Sequence, residues 1–247
     1  MEETALGGGA INAVVRIGET VRRTPTPPER SAFVTGVLAL FERSGWVGAP
    51  RFLGTDEQGR DMFQYIEGRA AVTPDERSAA RTDDSLVRVA QLVRAFHDLT
   101  HGTPEAGDQD VVCHNDLAPK NTVYDSAWHP VAFVDWDLAA PGERVHDVAH
   151  VCWQYLELGP GITDVTGTAR RIALICEAYG LDEPDGTGRL LDTVLWWQDR
   201  CWRGIEAGAA RGERGLAGLR ASGVVDEVRD ARDWVAAHCR ELGAFLR

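Results

Sequence analysis

The spacing of apolar residues along the chain changes character at Glu67-Gly68, from short strand-like runs to long helical repeats. Residues 5–23 contain a glycine run, an apolar strand, a Gly18-Glu19 turn and a second short strand. Period-two alternation in that second strand puts Val21 and Arg23 on one face. Pro25, Pro27 and Pro28 end it. Phe33, Val34, Val37, Leu38, Leu40 and Phe41 then recur at helical spacing, which predicts a helix over 29–44 closed by Gly45. Strands are expected at 51–53 and 61–66, joined by the turn Asp56-Glu57-Gln58-Gly59. These elements make a small sheet with one helix, and the break after them sets an expected boundary between residues 1–66 and 67–247.

Past the boundary, Leu86, Val89, Ala90, Leu92, Val93, Phe96 and Leu99 form one apolar face of a helix over 83–100. His97 lies beside that face and reads as a packed or hydrogen-bonded histidine rather than a ligand. A loop over 101–110 leads to two apolar runs, 111–113 and 131–134. After Asp147 the pattern is helical throughout, over 148–158, about 165–180, 190–210 and 225–245. Trp196, Trp197 and Trp202 in the third of these helices read as core or as pocket lining. The expected class is α+β.

Composition changes the picture only in part. The 247 residues, 44% apolar and 26% charged, suit one large domain or two lobes sharing a cleft. The longest clearly apolar run, 34–41, is far below the roughly 18–20 residues of a membrane span. The acidic N-terminal stretch has no apolar signal core, so a cytoplasmic location is expected. The five cysteines are scattered and never spaced Cys-x-x-Cys, which points to reduced thiols rather than a disulfide framework or a zinc site. Of the net charge of −12, residues 67–247 carry −11. That surplus argues against binding nucleic acid and is compatible with a cationic small-molecule partner, although solubility explains it as well.

Candidate chemistry gathers between residues 111 and 147. Each apolar run delivers polar groups at its C-terminal end: His114, Asp116 and Asn121 after the first, Asp135 and Asp137 after the second. An aspartate such as Asp116 can orient or accept the proton of an attacking hydroxyl. An asparagine such as Asn121 binds Mg²⁺ without adding charge, and Asp135 can bridge the metal to nucleotide phosphates. Lys120, the only lysine of the chain, lies within this stretch. Gly8 and Gly9 could let backbone N–H groups approach a phosphate.

The pattern His114-x-Asp116-x₄-Asn121, followed by Phe133-Val134-Asp135-Trp136-Asp137 and Asp147-Val148-Ala149, resembles the family of aminoglycoside and related small-molecule phosphotransferases. The resemblance implies a bilobal protein-kinase-like fold, with a small N-terminal antiparallel sheet plus helix and a larger, mainly helical C-terminal lobe. It implies that Asp116 is the catalytic base or hydroxyl-orienting residue, that Asn121 and Asp135 hold Mg²⁺, and that ATP or GTP is the co-substrate. Gly8, Gly9, Arg23, Gln64, Tyr65 and Ile66 would meet the nucleotide, and His114 and Asp147 would brace the site. The acceptor implied is a hydroxyl-bearing small molecule, such as a cationic antibiotic or a choline, homoserine or sugar type metabolite.

Two positions depart from the family's pattern. The strand lysine that contacts phosphates has no lysine counterpart; Arg23 is its nearest substitute and Arg22 the second choice. The helix glutamate that should pair with that lysine could be Glu29 or Glu42, neither well placed. These departures keep open a third reading, a kinase-fold protein that binds without catalysis.

Overall fold

The computed structural model describes residues 3–5, 14–25, 27–181 and 187–246. Strands β1 (Thr4–Ala5), β2 (Val14–Ile17) and β3 (Thr20–Arg23) form an antiparallel meander. Helix α1 (Pro28–Arg43) follows, opened by a proline where a backbone N–H has no intrahelical partner to lose. β4 (Phe52–Thr55) and β5 (Asp61–Gln64) complete the sheet in the order β1-β2-β3-β5-β4. Asp61–Gln64 is shorter than the expected 61–66 because Tyr65 turns its N–H to Glu19 O at 2.9 Å. Register places Arg23 opposite Asp61 and Val21 opposite Phe63, so these four share one face, while Arg22 and Met62 share the other.

The chain leaves the sheet through Gly68, whose φ is +146°. A Cβ there would stand 2.5 Å from Tyr124 O, so only glycine lets this segment lie against the next lobe. Arg69 and Tyr124 then exchange backbone hydrogen bonds at 3.0 and 2.8 Å.

The second lobe begins with α2 (Pro74–Ala79), which buries no residue and is held by a Thr73/Glu76 capping box. The amphipathic α3 (Asp83–Thr100) matches the expected 83–100. Four short strands follow: β6 (Val111–Cys113), β7 (Thr122–Tyr124), β8 (Pro130–Phe133) and β9 (Ala140–Gly142). The two apolar runs do form strands, β6 and β8, yet they belong to separate ladders, β6 with β9 and β7 with β8. Helices α4 (Arg144–Leu156), α5 (Val165–Tyr179), α6 (Leu190–Ala210), α7 (Arg214–Ala221) and α8 (Val224–Leu242) finish the chain. The expected helix start at Val148 is corrected to Arg144, which moves Asp147 into the first turn of α4. Trp197 is buried and its Nε1 donates to His146 O at 2.8 Å, whereas Trp196 is 44% exposed. The arrangement is mixed α and β and bilobal. One buried cluster runs from Val37 and Phe41 of α1 through Phe96 and Trp136 to Tyr155, Ile172 and Val194, so both lobes share it.

Candidate active site

The site is built outward from Asp147, which has no exposed surface. Its carboxylate accepts the backbone N–H of His114 at 2.7 Å and of Asn115 at 2.9 Å, pinning the chain as it leaves β6. His97 of α3 donates Nε2–H to the same carboxylate at 3.1 Å and accepts a hydrogen bond from the Tyr179 hydroxyl at Nδ1, 2.7 Å away. Arg144 donates to the Tyr179 oxygen at 3.3 Å, completing a chain of donors that ends at the loop. Burial pushes the Asp147 carboxyl up, but these donors, His97 first, hold it below the ordinary carboxylate range. Burial likewise depresses His97 and His114, so both are neutral.

His114 accepts the Asp116 N–H at Nδ1 (3.3 Å) and donates Nε2–H to Val134 O (3.0 Å), tying the first acidic stretch to the second. Asn115 sits at φ +64°, tolerable for asparagine, and its side chain donates to Leu138 O at 2.9 Å. Pro119–Asn121 form a single 3₁₀ turn, which folds Asn121 back over Asp116. Its Nδ2 donates to Asp116 O at 2.9 Å and to Asp116 Oδ2 at 2.8 Å, leaving Oδ1 as the group it can offer a cation. His150 of α4 supports the same loop through Leu117 O at 2.9 Å.

Asp135 takes a left-handed conformation, φ +63° and ψ +58°, which aspartate, like asparagine, adopts more readily than other side chains bearing a Cβ. Limited solvation, then the Asp137 and Asp116 carboxylates, raise its carboxyl above the ordinary range, while the Arg23 guanidinium pulls it back. Carboxylates thus outnumber cations in this recess. Hard oxygen donors on Asn121 and Asp135, in a recess where carboxylates outnumber cations, fit a divalent cation such as Mg²⁺.

Arg23 does not project into open space. One guanidinium nitrogen lies 3.6 Å from Asp135 Oδ1, the other 2.5 Å from Asp137 Oδ1, and the group stands 4.7 Å over the Phe63 ring. Arg22 points to the other face of the sheet and pairs with Asp56 at 3.6 Å, so of the two candidates only Arg23 reaches the acidic recess. Glu42 faces Arg51 at 3.7 Å. Among the described residues, the ion pairs of Arg23 run to Asp135 and Asp137 and not to α1.

Gln64 closes β5 and Tyr65 and Ile66 follow it; the N–H of Gln64 donates to Arg51 O and that of Tyr65 to Glu19 O, each at 2.9 Å. The Tyr65 ring lies 3.6 Å under the Arg16 guanidinium. Gly8 and Gly9 lie outside the described residues. The roles of Tyr179 and Arg144 were not foreseen from sequence, since neither carries a motif and both act through groups distant in the chain. Asp137 carries no task in the sequence motif, and only the alternation along 20–23 points toward its partner Arg23.

Comparison with known proteins supplies the remaining link. The profile of the phosphotransferase enzyme family matches residues 101–186. Over 210 residues the chain is 30% identical to the trifolitoxin immunity protein of Rhizobium leguminosarum bv. trifolii, spanning 76% of this chain and 77% of that protein. Its fold is similar to a choline/ethanolamine kinase family protein from Mesorhizobium loti, with a TM-score of 0.57 at 20% identity over 98% of this chain and 88% of that one. An aminoglycoside phosphotransferase from Streptomyces rimosus, solved with ADP and streptomycin, is similar at a TM-score of 0.55 and 15% identity, over 79% of this chain and 90% of that one. Since the profile match includes the loop carrying Asp116 and Asn121, and the sequence likeness extends over most of both chains, this protein belongs to the phosphotransferase enzyme family.

Proposed function

We propose that the protein transfers the γ-phosphate of ATP or GTP to a hydroxyl of a small molecule, with residues 1–66 and 67–247 as the two lobes around the nucleotide. The observation that carries this reading is the Asn121 amide bonded to Asp116 at 2.8 Å, in the same recess as the Asp135 carboxylate. A group able to take a hydroxyl proton thus stands beside the groups able to hold Mg²⁺. Asn121 and Asp135 would hold that metal, which when bound neutralises charge on the phosphates. Asp116 orients the acceptor hydroxyl and takes its proton as the hydroxyl oxygen bonds to the γ-phosphorus and the bond to the β–γ bridging oxygen breaks, releasing ADP or GDP. Arg23 grips phosphate oxygens, and the segment Gln64–Ile66 borders the base. Because the Gln64 and Tyr65 N–H groups are spent within the lobe, contact with the base falls to Ile66 and to backbone carbonyls. Gly8 and Gly9 are proposed to cover the phosphates, and His114 and Asp147 to brace the loop.

The acceptor proposed first is a cationic antibiotic of the aminoglycoside type, in keeping with the acidic second lobe and with the streptomycin bound by one structural relative. A metabolite alcohol is the second reading, favoured by the choline/ethanolamine kinase family neighbour. Asp116→Ala is expected to lower kcat by about 10²–10⁴ while Mg²⁺-nucleotide binding by calorimetry stays nearly intact. Phosphorylation at the wild-type rate in that variant would remove Asp116 from the role. Nucleotide binding without turnover, across a panel of aminoglycosides and amino alcohols, would instead favour a binding protein.

A further inference from the structure

We propose that Asp137 positions Arg23 for the nucleotide phosphates, a task that a glutamate of α1 was expected to perform. The proposal rests on the phosphotransferase reading above.

Three observations lead to it. First, the Arg23 guanidinium is 11% exposed and touches Asp137 at 2.5 Å, more closely than Asp135 at 3.6 Å. Second, Asp137 itself is largely enclosed, 17% exposed, whereas the Asp135 side chain is 51% exposed and the looser partner of Arg23. Third, Arg23 meets Asp137 Oδ1 through its terminal Nη2, while Arg23 Nε is buried without a hydrogen-bond partner, which leaves donor capacity on the guanidinium unused. Phe63 supports the guanidinium at 4.7 Å. Asp61, opposite Arg23 in the β3–β5 register and 4% exposed, adds a second carboxylate on the sheet side.

Removing the anchor would leave a buried cation with weaker partners, free to swing toward Asp135 and away from the phosphates. The arrangement also joins the phosphate grip to the metal segment, because Asp137 lies two residues beyond Asp135 in one 3₁₀ turn. A displaced Asp137 therefore disturbs both together.

Simple charge repulsion makes the opposite forecast, which gives the test its power. Asp137→Asn removes a negative charge near the phosphates and on electrostatics alone would tighten ADP binding in the absence of metal. Positioning demands that it weaken. Calorimetry on the full chain with ADP, with and without Mg²⁺, should show D137N and R23A each losing at least about tenfold in affinity in both arms. The double variant should lose no more than either single one. Asp137→Glu, which keeps the charge, should bind between wild type and D137N, and it serves if D137N fails to fold. Glu29→Gln and Glu42→Gln should bind as wild type does.

Metal-free ADP affinity in D137N that is unchanged or tighter, additive losses in the double variant, or a loss in E29Q or E42Q equal to that of R23A would each overturn the proposal. A loss confined to the Mg²⁺ arm would make Asp137 a metal ligand instead, and would also overturn it. A wild-type chain that binds neither ADP nor Mg²⁺-ADP would overturn the phosphotransferase reading along with it.

Discussion

His97, His114 and His150 are buried side chains with a neutral imidazole in the folded protein, because burial disfavours the charged ring at each. Their folded pKa values lie below the unfolded value of about 6.5, so the unfolded chain binds more protons in that window. Stability is therefore fully present above about pH 6.5 and declines as pH falls toward the depressed folded values, at up to about 1.4 kcal/mol per pH unit for each histidine. The Asp147 carboxyl is also depressed; its contribution persists through this window and is lost only in stronger acid. Urea unfolding at pH 7.5 and pH 5 should show the lower stability at pH 5, and equal stability at both would contradict the neutral network. At this scale much was legible. His114, Asp116, Asn121 and Asp135 stand out because their types and spacing carry chemistry, and His97 reads as hydrogen-bonded from its place beside an apolar face. The partner of Asp137 was not legible, since it depends on β3 of one lobe meeting a turn of the other.

Helix α1 shows how an element is recruited to the site. Its Phe41 ring lies 5.1 Å from Trp136, 6.3 Å from Phe96 and 4.8 Å from Trp46, so it fastens the first lobe to α3 and to the turn carrying Asp135 and Asp137. Phe41→Ala should cost about 3–5 kcal/mol, the range for a large aromatic lost from a close-packed core. Val47→Ala, at a position 83% exposed, should change stability by less than about 0.5 kcal/mol. Urea unfolding of the two variants decides it, and similar losses would mean that α1 is not anchored in this way. Long amphipathic helices such as α3 could be read from periodicity because burial and helical spacing agree. Helices α2 and α7 could not, as neither buries any residue. The strand pairings were hidden for another reason: three-residue ladders such as β6 with β9 are decided by what packs over them.

Across the whole molecule, the buried cluster passes without interruption from Val34 and Phe41 to Leu242, so neither lobe keeps a complete core when separated from the other. Continuity of this kind favours one cooperative transition over stepwise loss of the sheet lobe. The eight tryptophans make this testable without labels, because Trp46 and Trp136 report on the lobe junction while Trp196 and Trp197 report on α6. Tryptophan fluorescence and far-ultraviolet circular dichroism, which follows mainly the helices of the larger lobe, should give superimposable unfolding curves in urea. On the proposed function Mg²⁺-ADP spans the junction, and it should then move both curves together, by about 2.7 kcal/mol at a hundredfold excess over Kd. A fluorescence transition that precedes the loss of helix would show the junction opening first. In that case nucleotide would shift only the earlier step, and the shared core would be a contact between two independently stable lobes.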